Sequence, residues 1–290
     1  MKKIVLLFVV CGFIITGCTG DGPPPEMRRQ VIVYISTTSL SNSSLKSTAS
    51  PSENLISKII LYGVDAQNRI VETFPAISNP SVSGILLNIT EPVKSFYAIA
   101  NPSQTIEGAK PSTVSDLMNL TGDFSTPPVS PFLMSGKGVI INDKVNIELI
   151  RAIAKIEVIG KDGLEIKTVT VKNTPNKGFV FQQATFSLPA SIDWVNYPAI
   201  TSPAPSVYVA ENDKKNPTRL DIIGQFEGKQ ASYTVTLTSD GEAIAIIRNT
   251  HYQINVKPVD NFVCNVTISI PEWVGVVVTD DHFIPDESFN

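Results

Sequence analysis

Histidine and cysteine are scarce in this chain, with two and three residues respectively among 290. With only His251 and His282 available, a Ser-His-Asp triad or a multi-histidine metal site has almost no material. No Gly-x-Ser-x-Gly elbow, phosphate-cradling glycine loop or dinucleotide fingerprint occurs. The 23 lysines and arginines, set against 27 acidic residues, form no basic stripe and are not interleaved with aromatics, which argues against nucleic acid as a partner. Asp280, Asp281 and His282 are adjacent, so a strand could not point all three at one cation, and they read as a solvated tail. Asp240 and Glu242 sit in a turn, where aspartate is expected for backbone reasons. The inventory predicts no catalysis, no metal and no cofactor.

Cysteine usage also excludes a disulfide framework. Cys11 lies in an apolar leader and Cys18 at its end, so Cys264 has no intramolecular partner. Within the alternation Phe262, Cys264, Val266, Ile268, Ile270 it reads as a buried small hydrophobe. The leader itself has Lys2 and Lys3, an apolar run from Ile4 to Ile15 too short for a permanent span, and Thr16-Gly17 before Cys18. Residues 1–17 are expected to be a signal peptide. The ending Ile15-Thr16-Gly17-Cys18 resembles a bacterial lipobox, making Cys18 the lipidation candidate and the outer membrane the destination; an ordinary cleaved signal with an incidental cysteine is the alternative. Residues 18–29 form a proline-stiffened tether, Asp21-Gly22-Pro23-Pro24-Pro25-Glu26 at its centre.

What is abundant is β alternation. Gln30 to Ser36 places Val31, Val33 and Ile35 on one face and Ile32 and Tyr34 on the other, predicting a strand buried on both sides. Thr37 to Asn54 is dominated by Ser and Thr and should be an exposed linker, with Lys46 the single basic residue between Arg29 and Lys58. A trypsin-like cut at Lys46 would leave the first strand held only by noncovalent contacts. Further strands are expected at Ile59 to Val64, Ile85 to Ile89 and Phe96 to Ala100, with one short helix near Val114 to Leu120. Near residue 150 the apolar phase flips from Val145, Ile147 and Leu149 to Ala152, Ala154, Ile156 and Val158, which a single flat strand cannot satisfy. The spacing predicts an all-β chain of two tandem antiparallel β-sandwich domains, 30–150 and 151–290, crossing at Ile150-Arg151. Residues 30–46 would be the removable strand and linker of the first domain.

Several phrases resemble the FimA-like fimbrillins, or type V pilins, of Bacteroidetes-type bacteria. They are Pro131-Phe132-Leu133-Met134-Ser135-Gly136, Arg151-Ala152-Ile153-Ala154-Lys155-Ile156-Glu157-Val158, Val207-Tyr208-Val209-Ala210-Glu211-Asn212, Arg248-Asn249-Thr250-His251-Tyr252, and Glu272-Trp273. The resemblance implies transthyretin-like sandwiches and a structural subunit of a cell-surface fimbria, made as a lipidated precursor. It further implies a cut in the linker, loss of the first strand, and filling of the groove by a C-terminal strand of a neighbouring subunit. Val274, Val276 and Val278 fit that donor strand; they would equally complete the C-terminal sandwich. The family's cut resembles one after arginine, whereas this linker offers Lys46, so an uncleaved anchor or accessory subunit is the alternative. Partners implied are copies of itself or related fimbrial subunits, the outer membrane through the lipid, and host or bacterial surface ligands. A glycan-binding surface lipoprotein is a third reading, with Trp194, Asp193 and Tyr197 as its candidate platform.

Overall fold

The computed structural model describes residues 28–37, 46–48, 50–81, 83–201, 206–239, 242–258, 264–270 and 272–274. The leader, Cys18, nearly all of the tether, much of the linker, Val276 and Val278 lie outside the described residues, and of Lys46 and Val274 the backbone alone is described. The fold is all-β. Its N-terminal half comprises β1 (Arg28–Thr37), the short β2 (Lys46–Thr48), β3 (Lys58–Val64), β4 (Ile70–Ser78), β5 (Ile85–Thr90) and β6 (Ser95–Ala100). After two short helices come β7 (Thr121–Asp123), β8 (Met134–Val139) and β9 (Lys144–Arg151).

Seven of these strands form one sheet in the order β4-β3-β6-β8-β9-β1-β5. Residues from both arms share a single core: Val31, Val33, Leu87, Val145 and Ile147 from one, Leu61, Phe96, Ala98 and Met134 from the other. The sheet therefore bends over itself, and it does so between β8 and β9. Gly136 and Gly138 lie against the β9 backbone there; a Cβ on Gly138 would stand 2.5 Å from the Asn146 carbonyl oxygen, and one on Gly136 would strike that of Glu148. Only hydrogen fits at these positions, which gives the glycine of the Pro131–Gly136 phrase a steric reason.

Expectation and structure part at the doubly buried strand. β1 buries Val31 and Val33 completely, but Ile32 and Tyr34 on its other face are only half-buried. β3 is the strand covered on both sides: Ile59 and Leu61 face the common core, while Ile60 and Tyr62 pack under Ile106, Leu117, Val180 and Phe181. The helices lie over the β3–β6 arm, and among the described residues no such layer covers the outer face of β1.

At the end of β9 the chain changes sheet. Val145, Ile147 and Leu149 point inward on odd positions; the next strand, β10 (Ile153–Gly160), points Ala154, Ile156 and Val158 into a second core. β10 pairs with Ser206–Ala210 and His251–Pro258, with Cys264–Ser269 outermost. Facing it is the sheet of β11 (Glu165–Lys172), Ile200–Thr201, Arg219–Phe226 and Lys229–Thr236. The last two make a hairpin through Glu227 and Gly228, both at positive φ as a two-residue primed turn requires. Among the described residues three ladders are parallel, β1 with β9, β10 with His251–Pro258 and β2 with Glu272–Val274; each joins strands far apart in the chain, where no hairpin imposes direction. Cys264 is half-buried against the second core, and burial pushes its thiol up, away from reactivity. Residues 242–247 carry a two-residue pair, Glu242–Ala243 with Thr238–Ser239, and a single bridge from Ile246 to Asn212.

Gly136→Ala should cost about 1–3 kcal/mol through overpacking against β9. A drop in melting temperature of several degrees, with Gly108→Ala nearer wild type because its φ is −76° and a Cβ there would meet nothing nearer than 3.4 Å, would be the expected pair of results. Equal melting of Gly136→Ala and wild type would refute the bend.

Candidate functional site

β1 occupies a slot one strand wide. Its six partners on β5 run antiparallel from Arg28–Thr90 to Val33–Ile85, and its six on β9 run parallel from Ile32–Lys144 to Thr37–Leu149. Val31, Val33 and Ile35 share the face that contributes to the core, Ile35 being half-buried. Without β1 the facing edges of β5 and β9 would present unpaired amides and carbonyls above an apolar floor, an arrangement that only another strand satisfies.

Both ends of the linker that follows β1 come back to one place. Thr37 Oγ1 reaches Asn54 Oδ1 at 3.4 Å, and Asn54 closes the 3-10 turn Pro51–Asn54. That turn is fixed by a buried polar cluster. Glu53 accepts from Tyr208 OH at 2.6 Å and pairs with Lys155 Nζ at 2.9 Å. Arg151, fully buried, donates through Nε to the Glu53 carbonyl at 3.0 Å, through Nη1 to Asn249 Oδ1 at 2.7 Å, and through Nη2 to Asn54 Oδ1. The residues quoted for the resemblance thus converge although they lie on separate elements. Asn249 adopts φ 55°, a conformation asparagine tolerates, and so aims its side-chain oxygen at Arg151.

A second buried arginine fixes, within the C-terminal half, the segment through which that half pairs with the N-terminal one. Arg248 donates to the carbonyls of Phe179 and Val180 and to Glu211 Oε2 at 2.6 Å, and its own amide donates to Glu211 Oε1. The Lys177–Phe179 segment in turn pairs with β7. Asn212, beside Glu211, donates to the Asn173 and Asn216 carbonyls and to Thr218 Oγ1, stapling the loop at 212–218. Apolar packing alone would hold the halves together loosely; two guanidiniums with directional acceptors fix one relative placement.

The electrostatics follow from burial. Burial opposes ionisation of Glu53, but hydrogen bonds from Tyr208, Lys155 and the Ser50 amide outweigh it and hold the carboxyl below the usual carboxylate range. Burial lowers Arg151 to about 10, which still leaves it charged at neutral pH. His251 is 1% exposed, with its Nε2 3.2 Å from Glu157 but not aligned to donate; burial and then Lys155 hold its pKa below the ordinary value.

The other sequence-derived residues fall out differently. Lys46–Thr48 pairs in parallel with Glu272–Val274, which sets the processing candidate beside the start of the donor candidate. Trp194 is partly exposed, but Tyr197 is buried with its OH donating to the Phe124 carbonyl at 2.9 Å, and Asp193 is held against Asn176. The expected aromatic platform of Trp194 with Tyr197 is therefore not formed, because Tyr197 serves the second core. Among the described residues no group of three His, Cys, Asp or Glu side chains could hold a metal ion. Glu53 was not a sequence candidate; a lone glutamate in a Ser-rich linker carries no signal until Arg151, Lys155 and Tyr208 are placed around it.

Residues 48–280 match the family described as fimbrillin-A associated anchor proteins Mfa1 and Mfa2. No curated protein matches the chain. Among solved structures, the chain is similar to the C-terminally truncated tip fimbrial protein Mfa3 from Porphyromonas gingivalis, with TM-score 0.57 and 16% identity over 84% of this chain and 100% of that one. It is similar to the fimbrilin FimA of the same organism, with TM-score 0.57 and 13% identity over 84% and 98% of the two chains. A fimbrial assembly protein from Parabacteroides distasonis gives TM-score 0.55 and 14% identity over 85% and 99%.

The cluster predicts an acid-labile junction. Because His251 titrates below 6.5 when folded, the unfolded chain takes up its proton first, so stability is full above about pH 6.5 and declines as pH falls below it. Glu53, held below 4.5, adds a second decline as pH falls through its lowered value. Thermal melts from about pH 2.5 to 8 should show the upper limb flattened in His251→Gln and the lower limb flattened in Glu53→Gln. Arg151→Met should lose about 3–5 kcal/mol at neutral pH; a melt indistinguishable from wild type would show the guanidinium to be dispensable.

Proposed function

This chain belongs to the family of fimbrillin-A associated anchor proteins, and from that membership we propose that it is a structural subunit of a cell-surface fimbria, made as a lipidated precursor and assembled by strand exchange. The single observation that carries the reading is the seat of β1 between β5 and β9, joined to the rest of the chain only through the linker that holds Lys46. A cut there would sever β1 while Arg151, Lys155 and Tyr208 keep the downstream end clamped at Glu53 and Asn54. β1 could then leave without dragging the fold with it. A replacement strand must run parallel to β9 and antiparallel to β5, with aliphatic side chains at alternate positions. Val274, Val276 and Val278 repeat the spacing of Val31, Val33 and Ile35. Each buried aliphatic side chain contributes roughly 1.5–3 kcal/mol and each ladder hydrogen bond about 1 kcal/mol net, enough together to hold subunits in line.

In this reading residues 1–17 are the signal, Cys18 carries the lipid, 30–150 and 151–290 are the two structural units, and the partners are copies of the chain or related subunits at the outer membrane. A second reading, an uncleaved anchor at the base of the filament, is favoured by the family's description as anchor proteins and by the lysine where the resemblance implies arginine.

The N-terminus of the native surface form separates the two. A start at Ser47 marks a processed shaft subunit, whereas an acylated Cys18 on the mature filament marks the anchor; a terminus at neither position would overturn both. Cys18→Ala should release the precursor from membranes, and unchanged palmitate labelling would sink the lipid assignment. For the processed form, Val276→Asp should leave a folded monomer that makes no filaments by electron microscopy. Filaments of wild-type length would remove this segment as donor.

A further inference from the structure

The structure brings together two segments that the sequence separates by more than two hundred residues: Lys46 opposes Glu272, Ser47 opposes Trp273 and Thr48 opposes Val274 in a parallel ladder. Among the described residues this two-stranded pair belongs to no larger sheet. We propose that the C-terminal strand Glu272–Val274 is a cap held in cis over the processing segment, shielding Lys46 from proteolysis until the pair opens. The inference rests on the reading of Lys46 as the processing site.

The physical case begins with how a protease takes its substrate. An extended peptide binds to a cleft largely through its backbone donors and acceptors, as a strand added to an edge. A segment whose backbone is already paired along one side offers fewer of those groups, so it must first detach. When detachment and reclosure are fast, the cleavage rate follows the fraction of time the segment is open. The linker is poor in apolar residues, and among the described residues it is fixed at Thr37 at one end and at the Pro51–Asn54 turn at the other. Among the described residues, the short ladder with Glu272–Val274 is what opening at Lys46 must break. Glu272 to Val274 also begins the segment proposed as donor, so opening the pair would make the scissile bond and the donor backbone available in one event. Parallel pairing suits this role, because it needs no hairpin and can be broken without disturbing either core.

The test uses full-length chains. Successive amides in a strand point to opposite sides, so Trp273→Pro together with Val274→Pro must delete any N–H that this pair of residues turns toward Lys46–Thr48. Limited trypsin digestion, followed by N-terminal sequencing of the product starting at Ser47, gives the rate of the Lys46 cut. The double variant should be cut there faster by roughly tenfold, the change expected when about 1.4 kcal/mol of closure is lost. Cuts at the remaining lysines and arginines, and the melting temperature, should stay at wild-type values. An unchanged or slower Lys46 cut overturns the cap. Acceleration shared equally by all sites also overturns it, because it reports general loosening. The processing reading fails separately: a native surface form that does not begin at Ser47 refutes physiological cleavage, while trypsin on purified chain still decides whether the two segments protect one another.

Discussion

The arrangement depends on a guanidinium with no access to water. Arg151 stands where the chain leaves the first sheet for the second, and it reaches at once to the turn after the linker and to Asn249 in the other half. A buried cation of this kind is costly to desolvate and is tolerated only with a full set of acceptors. The acceptors come from elements about a hundred residues away on either side, so the fold must place all of them before the charge is satisfied. That requirement couples the exit of the linker to the seating of the two halves. Glu53 and Lys155 balance the local charge, and Tyr208 donates into the same carboxylate. The polar cluster consequently sets geometry where apolar packing would allow sliding.

Around that fixed point the N-terminal half divides its labour. β3 and β6 are covered on both faces, by the shared core and by the helical segments, and form the permanent arm. Among the described residues the other arm, β5, β1 and β9, is covered on one face. β1 has neighbours distant in sequence on both sides. It is well buried yet topologically separable, which is the property a replaceable strand requires.

Much of this was legible in the sequence. The strands at 59–64, 85–89 and 96–100, the helix near 114 and the phase flip at 150 follow from alternation and capping alone, because each is decided by neighbours within a few residues. The parallel ladders were not legible, since direction between distant strands is a property of the closed fold. β4 has no clear sequence signal because Ile70 to Ser78 carries its apolar residues unevenly, with Pro75 inside a strand at the edge of the sheet. β1 looked doubly buried because both its faces are apolar, although only one meets a core. At the junction the signal was present but unreadable: Arg151, Glu211 and Asn249 could be seen as phrases, but a buried arginine is recognisable only once its acceptors are assembled around it.

The seat of β1 also determines how the protein would bear load. A strand ten residues long, bonded to β5 over Arg28–Val33 and to β9 over Ile32–Thr37, resists a pull parallel to its axis with the bonds of both ladders strained together. A strand peeled from one end loses the same bonds one at a time and yields at far lower force. The slot between β5 and β9 therefore forms a shear joint, strongest along the strand and weak only to a tug that lifts one end. Any segment occupying it takes on that directionality, whatever subunit supplies it.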